Sequence, residues 1–229
     1  MRISAVSIDM FQTLINVDKS AENIWRAILG EQYHPDSIKQ YIQEYYQFLS
    51  KVMGKVYETN EFTNLRTIFT DVFSLIKHNN DYNYIAEEAA HILMEEHSKA
   101  SFFTDASEFL NQWNHTCQLW ISSDADHIMI DPLLSKIKFD KKFISEDLKA
   151  YKQDKKDRFF KKVLSETCID RQEILHIGDS PSDVIGAKNV GIKTCWINRL
   201  KTKWNKQSTP DYIIYDLMEL PELLQKIEG

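Results

Sequence analysis

Asp9-Met10-Phe11-Gln12-Thr13 follows directly on the apolar run from Ile3 to Ile8. The run reads as a buried strand. It delivers Asp9 to the carboxyl end of a first strand, where open α/β sheets bind ligands. Thr13 comes four residues later. One position is irregular: residue 11, where a second carboxylate would serve acid–base chemistry, is phenylalanine.

Working outward, the chain changes texture twice. From about residue 20 to residue 99 the apolar residues recur every three or four positions: Ile24, Trp25, Ile28 and Leu29; then Ile38, Tyr41, Ile42, Tyr45, Leu49 and Val52; then Phe62, Leu65, Phe69, Val72, Phe73 and Ile76; then Ile85, Ala89, Ile92 and Leu93. That period belongs to amphipathic helices. About four helices are expected, with turns near Gly30–Pro35, Gly54–Asn60 and His78–Asp81. Beyond residue 100 short apolar runs alternate with helical stretches. Strands are expected at 117–121, 142–144, 174–177, 193–197 and 212–214. Helices are expected near 126–136, 154–165, 181–189 and 220–227. Strands alternating with helices imply a mostly parallel sheet covered on both faces. The first strand finds no partner until after residue 100, so the helical block reads as an insertion. The expected division is an α/β core of residues 1–15 and 101–229, with an all-helical domain of residues 16–100.

The chain has 229 residues, 43% hydrophobic and 27% charged, with a formal net charge of −6. It is long enough to bury a sizeable core. The acidic balance argues against nonspecific nucleic-acid binding. The basic run Lys152, Lys155, Lys156, Arg158, Lys161 and Lys162 is broken by Asp154 and Asp157 and reads as a solvated helix face. Cys117, Cys168 and Cys195 form no CxxC pair, which excludes zinc-ribbon and thioredoxin-type readings. No apolar run approaches the ~20 residues that span a bilayer, and the first residues carry no signal-type segment. A soluble cytoplasmic protein is expected, monomer or homodimer, with no membrane or nucleic-acid partner.

Four polar sites follow four expected strands: Asp9; Ser123-Asp124; Lys152; and Asp179 with Asp183 in Gly178-Asp179-Ser180-Pro181-Ser182-Asp183. All would gather at one edge of the sheet. Each also has a structural alternative. Ser123 could cap a helix, and Lys149 competes with Lys152 for the same role. Ser180-Pro181-Ser182-Asp183 reads as a helix start in its own right.

The ordered set resembles the haloacid dehalogenase (HAD) superfamily of hydrolases. Asp9-Met10-Phe11-Gln12-Thr13-Leu14 is similar to its first motif, DxDxTL. Trp120-Ile121-Ser122-Ser123-Asp124 is similar to the second. Ser145 to Lys152 resembles the third, and His176 to Asp183, continued by Ile185 to Ile192, the acidic fourth. The helical block resembles the family's type-1 cap. The resemblance implies a Rossmann-like core, with Asp9 as a nucleophile that forms a covalent aspartyl intermediate. Lys152 would supply positive charge, and Ser123 would donate to a substrate oxygen, with Asp124 and Thr13 beside them. Mg²⁺ would be held by Asp9, the Phe11 backbone carbonyl and Asp179, with Asp183 in its outer shell.

Phe11 departs from the phosphatase pattern. The carboxylate that protonates the leaving oxygen in those relatives is absent, and such help is typically worth ~10²–10⁴-fold. Gln12 stands where a small glycine is usual. Haloacid dehalogenases carry an aromatic there, but they need no metal and lack the paired acids of positions 179 and 183. Phosphonoacetaldehyde hydrolases keep the metal acids and use a cap lysine as a Schiff base; Val52-Met53-Gly54-Lys55 faintly resembles their cap, among several lysines of this region. The expectation is a Mg²⁺-dependent hydrolase of a small phosphorylated metabolite. The alternatives are a dehalogenase-type enzyme, or a weakly active or noncatalytic binder of a ligand or protein.

Overall fold

The computed structural model describes residues 2–59 and 61–229. The strands are β1 (Ala5–Ile8), β2 (Ile15–Asn16), β3 (Ser101–Phe102), β4 (Gln118–Ser123), β5 (Lys141–Ile144), β6 (Ile174–Gly178), β7 (Lys193–Ile197) and β8 (Tyr212–Ile214). The α-helices are α1 (Ala21–Leu29), α2 (Ile38–Glu58), α3 (Leu65–Asn80), α4 (Ala86–Lys99), α5 (Thr104–Gln112), α6 (His127–Leu134), α7 (Ser145–Leu148), α8 (Arg158–Ser165), α9 (Pro181–Asn189) and α10 (Leu220–Glu228).

Six strands form one sheet in the order β5-β4-β1-β6-β7-β8. Every pairing in it is parallel. β1 lies between β4 and β6, so strand order reverses around it and the carboxyl ends beside Asp9 form a switch point. β1 and β6 are buried along their whole length, as near-continuous apolar runs in a parallel sheet must be. Trp120, Phe143, Phe159, Phe160, Val163 and Ile192 pack into one core cluster. Each such side chain contributes roughly 1.5–3 kcal/mol by leaving water. β2 and β3 make a separate antiparallel pair where the chain leaves and re-enters this part.

The structure divides into two compact units. One comprises the chain up to Asn16 with Ser101–Asp124 and Ile137–Gly229; the other comprises Val17–Ala100 and Ala125–Lys136. The second unit holds α1 to α4 and also α6, which the expected boundaries left in the α/β part. α6 packs against α4, and the segment before it is tied to α3. Asp126, just before α6, turns its carboxylate to the first turn of α3 and accepts from the Leu65 and Arg66 amides at 3.0 Å each. Asn64 caps the same turn, accepting from Thr67 N–H at 3.0 Å. Two side-chain acceptors thus satisfy amides that a helix start leaves without partners.

Two local expectations are corrected. The turn expected near Gly54–Asn60 does not begin at Gly54: α2 runs through Gly54 to Glu58, and Asn60 lies outside the described residues. A glycine surrounded by good helix formers weakens a helix without ending it. The helix expected from 154 begins only at Arg158, because Asp154 folds the preceding residues into a turn. Its Oδ1 accepts from Lys156 N–H at 2.8 Å and Arg158 N–H at 3.1 Å. Asp157 is left-handed at φ 55°. Among the described residues no helix is long and apolar enough to cross a membrane.

Candidate active site

β1 ends at Ile8, and the Asp9 amide donates to Ile177 O at 2.8 Å, fixing Asp9 beside β6. The chain then closes a tight loop, in which Leu14 and Ile15 N–H both donate to Met10 O at 2.9 and 2.8 Å. Gln12 sits within it at φ 63°. That left-handed conformation explains the usual glycine, since a Cβ there costs roughly 1–2 kcal/mol. The Gln12 Oε1 is also buried without a hydrogen-bond partner.

Lys152 is only 1% exposed. Its ammonium bonds the Asp9 carboxylate and lies 2.6 Å from Asp183 Oδ1. Of the two lysines weighed from sequence, Lys149 is exposed, at left-handed φ 48°. Lys152 is therefore no part of a solvated helix face. Lys155, Lys156, Lys161 and Lys162 are exposed as expected, but the first two precede the helix. Lys152 is seated by Gly186 of α9. A Cβ at Gly186 would stand 2.0 Å from the Lys152 carbonyl oxygen, so only glycine permits this approach.

Asp183 has both oxygens engaged. Oδ1 faces Lys152 and His176 Nε2, the latter at 3.1 Å. Oδ2 accepts from Ser180 N–H at 3.1 Å and Ser180 O–H at 2.6 Å. The helix-start reading and the acidic-site reading of Asp183 thus describe one geometry. Gly178 makes room for it, since a Cβ there would meet Asp183 Cγ at 2.1 Å. Asp179 accepts from Thr13 Oγ1 at 3.3 Å. Asp124 accepts from the Lys152 amide at 3.1 Å. Ser123 is 1% exposed. Its Oγ has no hydrogen-bond partner and caps no helix, a cost that a ligand oxygen would relieve.

The electrostatics divide these acids. Burial pushes Asp9 up to about 6, with Lys152 pulling it back and Asp183 pushing it further. Burial, then Asp9 and Asp183, raise Asp179 well above the carboxylate range. Burial pushes Asp124 up to about 7 against the pull of Lys152. For Asp183 burial is outweighed by Lys152 and the His176 hydrogen bond, which hold it below the usual range. Burial would depress Lys152, but Asp183, Asp9 and Asp124 together raise it.

The donor set fits a hard divalent cation. Asp9, Asp179 and Asp183 each offer a carboxylate oxygen within 4.8 Å of the others. One ammonium faces three carboxylates, and the cluster offers only oxygen ligands, which suits Mg²⁺ better than softer metals. Since both Asp183 oxygens already have partners, Asp9 and Asp179 hold the spare coordinating capacity.

His176 opens the fourth motif stretch, but the sequence assigns it no role. It is buried on β6, its Nδ1 lying 2.9 Å from Ser7 Oγ on β1, which donates to Ser122 Oγ at 2.7 Å. The available signal was a histidine and a serine inside two otherwise apolar strands. Buried polar groups need partners, and strand neighbours are the nearest source.

A buried carboxylate–ammonium pair, an acidic cluster and a sealed hydroxyl at a parallel-sheet switch point form an enzyme-type site. The chain belongs to the haloacid dehalogenase-like hydrolase family, whose sequence pattern matches residues 7–197. It is 25% identical over 227 residues to a pyrimidine 5′-nucleotidase of Streptococcus pneumoniae, covering 95% of this chain and 93% of that one. It is 22% identical over 233 residues to the (S)-2-haloacid dehalogenase of Pseudomonas sp. strain YL, covering 99% and 97%. Its fold superposes with a TM-score of 0.78 on YfnB of Bacillus subtilis, described as a HAD-hydrolase and solved with magnesium bound. That match has 20% identity and covers 98% of this chain and 99% of the other.

Proposed function

We propose that this hydrolase is Mg²⁺-dependent and cleaves a small phosphorylated metabolite through Asp9. The observation that carries the reading is Asp179. A part-exposed carboxylate that completes a three-acid cluster with Asp9 and Asp183 serves a metal-assisted phosphoryl transfer, whereas direct displacement of a halide does not need it. The likeness to a nucleotidase along nearly the whole chain points the same way.

Asp9, Asp179 and the Phe11 carbonyl would hold the ion, with Asp183 as outer-shell support. The bound ion would neutralise charge so that an anionic substrate can approach an anionic nucleophile. Asp9 attacks phosphorus, the ester P–O bond breaks, and an aspartyl-phosphate forms. Water then releases phosphate and restores Asp9. Lys152 stabilises the charge on Asp9 and on the transferring group. Ser123 O–H donates to a nonbridging oxygen, and Thr13 steadies Asp179. Phe11 offers no proton to the leaving oxygen, so substrates that leave as stable anions are favoured.

The test is Mg²⁺-dependent phosphate release from a panel of phosphomonoesters that includes pyrimidine nucleoside 5′-monophosphates, with Asp9→Asn as the blank. A silent panel, with no gain on Phe11→Asp, overturns the reading. A second reading, dehalogenation of 2-haloacids, is favoured by Phe11 and by the likeness to a 2-haloacid dehalogenase along nearly the whole chain. It requires halide release in the presence of a chelator, and absence of halide removes it.

A further inference from the structure

We infer that Trp196 and Arg199, at the carboxyl end of β7, are positioning residues that jointly set the Asp179 carboxylate for metal binding. The inference rests on the Mg²⁺ reading above and deepens it. Neither residue lies in the four motif stretches, yet both reach the loops that those motifs form.

Trp196 pairs in register with Gly178 across the β6–β7 ladder. Its indole N–H donates to the Asp179 carbonyl at 2.8 Å. The ring is 6% exposed and packs edge-on against Trp204 with centroids 4.9 Å apart. The main chain of Asp179 is therefore tied to a side chain that has little freedom to move.

Arg199 grips the other side. Its Nη2 donates to the Thr13 carbonyl at 2.8 Å. Its Nη1 reaches both Asp105 oxygens, at 2.8 and 2.7 Å. The guanidinium lies over the Phe103 ring at 4.1 Å. Asp105 is itself fixed by the Leu217 amide at 2.9 Å. The Phe103 amide donates to Leu14 O at 2.9 Å, on the same loop as Thr13. Thr13 Oγ1 then meets Asp179 Oδ1. One grip thus holds the Asp179 main chain, and the other holds the residue that orients its side chain. Both start within four residues of one strand end.

A ligand carboxylate held from two sides loses less freedom when an ion arrives, which is how outer-shell partners strengthen a metal site. Trp196→Phe keeps an aromatic ring and deletes one donor. Arg199→Lys keeps the charge but cannot span Asp105 and the Thr13 carbonyl together. The experiment titrates Mg²⁺ into the metal-free chain by calorimetry for wild type and both variants, with melting in EDTA and kcat and KM measured alongside. Trp196→Phe is expected to weaken Mg²⁺ about tenfold, with little change of melting in EDTA and with kcat recovering at high Mg²⁺. Arg199→Lys should act in the same direction. A folded Trp196→Phe that binds Mg²⁺ as wild type does, or that shifts only its melting, overturns the inference while leaving the proposed function standing. A wild-type chain that takes up no Mg²⁺ overturns both.

Discussion

Lys152 Nζ lies 2.6 Å from Asp183 Oδ1, and both side chains are 2% exposed. The same ammonium also bonds Asp9. Lys152→Met would strand two buried carboxylates, and breaking such a pair costs roughly 3–5 kcal/mol. Activity should fall by about 10²–10³-fold or more. Urea melts should show a smaller loss at pH 5 than at pH 8, because Asp9 escapes the penalty by taking up a proton. An equal loss at both pH values would mean that Lys152 acts by packing and not by charge.

Phe11→Asp restores a carboxylate two residues after Asp9. If leaving-group protonation limits turnover, kcat on unactivated phosphomonoesters should rise by up to ~10²-fold, within the range for general acid help. On aryl phosphates, which leave without a proton, the gain should be small. A comparable gain on both substrate types would place the effect in metal binding instead.

Asp124 is pushed up from 3.8 to about 7, chiefly by burial. The folded chain therefore holds this proton more tightly than the unfolded chain does. Stability from this group is full below its unfolded value and is lost as pH rises toward 7. Asp9 adds the same sign up to about 6. Asp183, which is depressed, has the opposite sign and matters only below the ordinary carboxylate range. In EDTA, the melting temperature of wild type should fall between pH 5 and 7. Asp124→Asn should flatten that slope, and an unchanged slope would show that Asp124 keeps its ordinary pKa.

Two glycines separate close approach from mere helix weakness. Gly186→Ala meets the Lys152 carbonyl and should cost about 1–3 kcal/mol through strain, with activity falling because Lys152 is displaced. A Cβ at Gly54, within α2, would meet nothing within 4 Å. Gly54→Ala should instead stabilise by about 0.5–1 kcal/mol. Chemical melts of the two variants test the contrast directly.

The sequence by itself determined the sheet. Its strands are apolar runs between turn residues, and all six expected ones appear, with ends moved by two residues at most. It also made the set Asp9, Ser123, Lys152, Asp179 and Asp183 legible: Asp9 and Asp179 directly follow strands, Ser123 ends β4, and Lys152 and Asp183 lie on the segments that leave β5 and β6, and parallel strands bring those ends to one edge. What it left open needed distances. Lys152 over Lys149 is a matter of which lysine is buried. The place of α6 follows from its packing against α4 and from the Asp126 carboxylate's bonds to the start of α3. The Lys152 and His176 partners of Asp183 join residues whose patterns are separately ordinary, whereas its bonds to Ser180 belong to the helix start already legible in the sequence. Trp196 and Arg199 belong to no local pattern at all. Local period and turn chemistry are written into neighbours along the chain, whereas a buried hydrogen bond is a pairing across it, and only the folded structure selects the pairs.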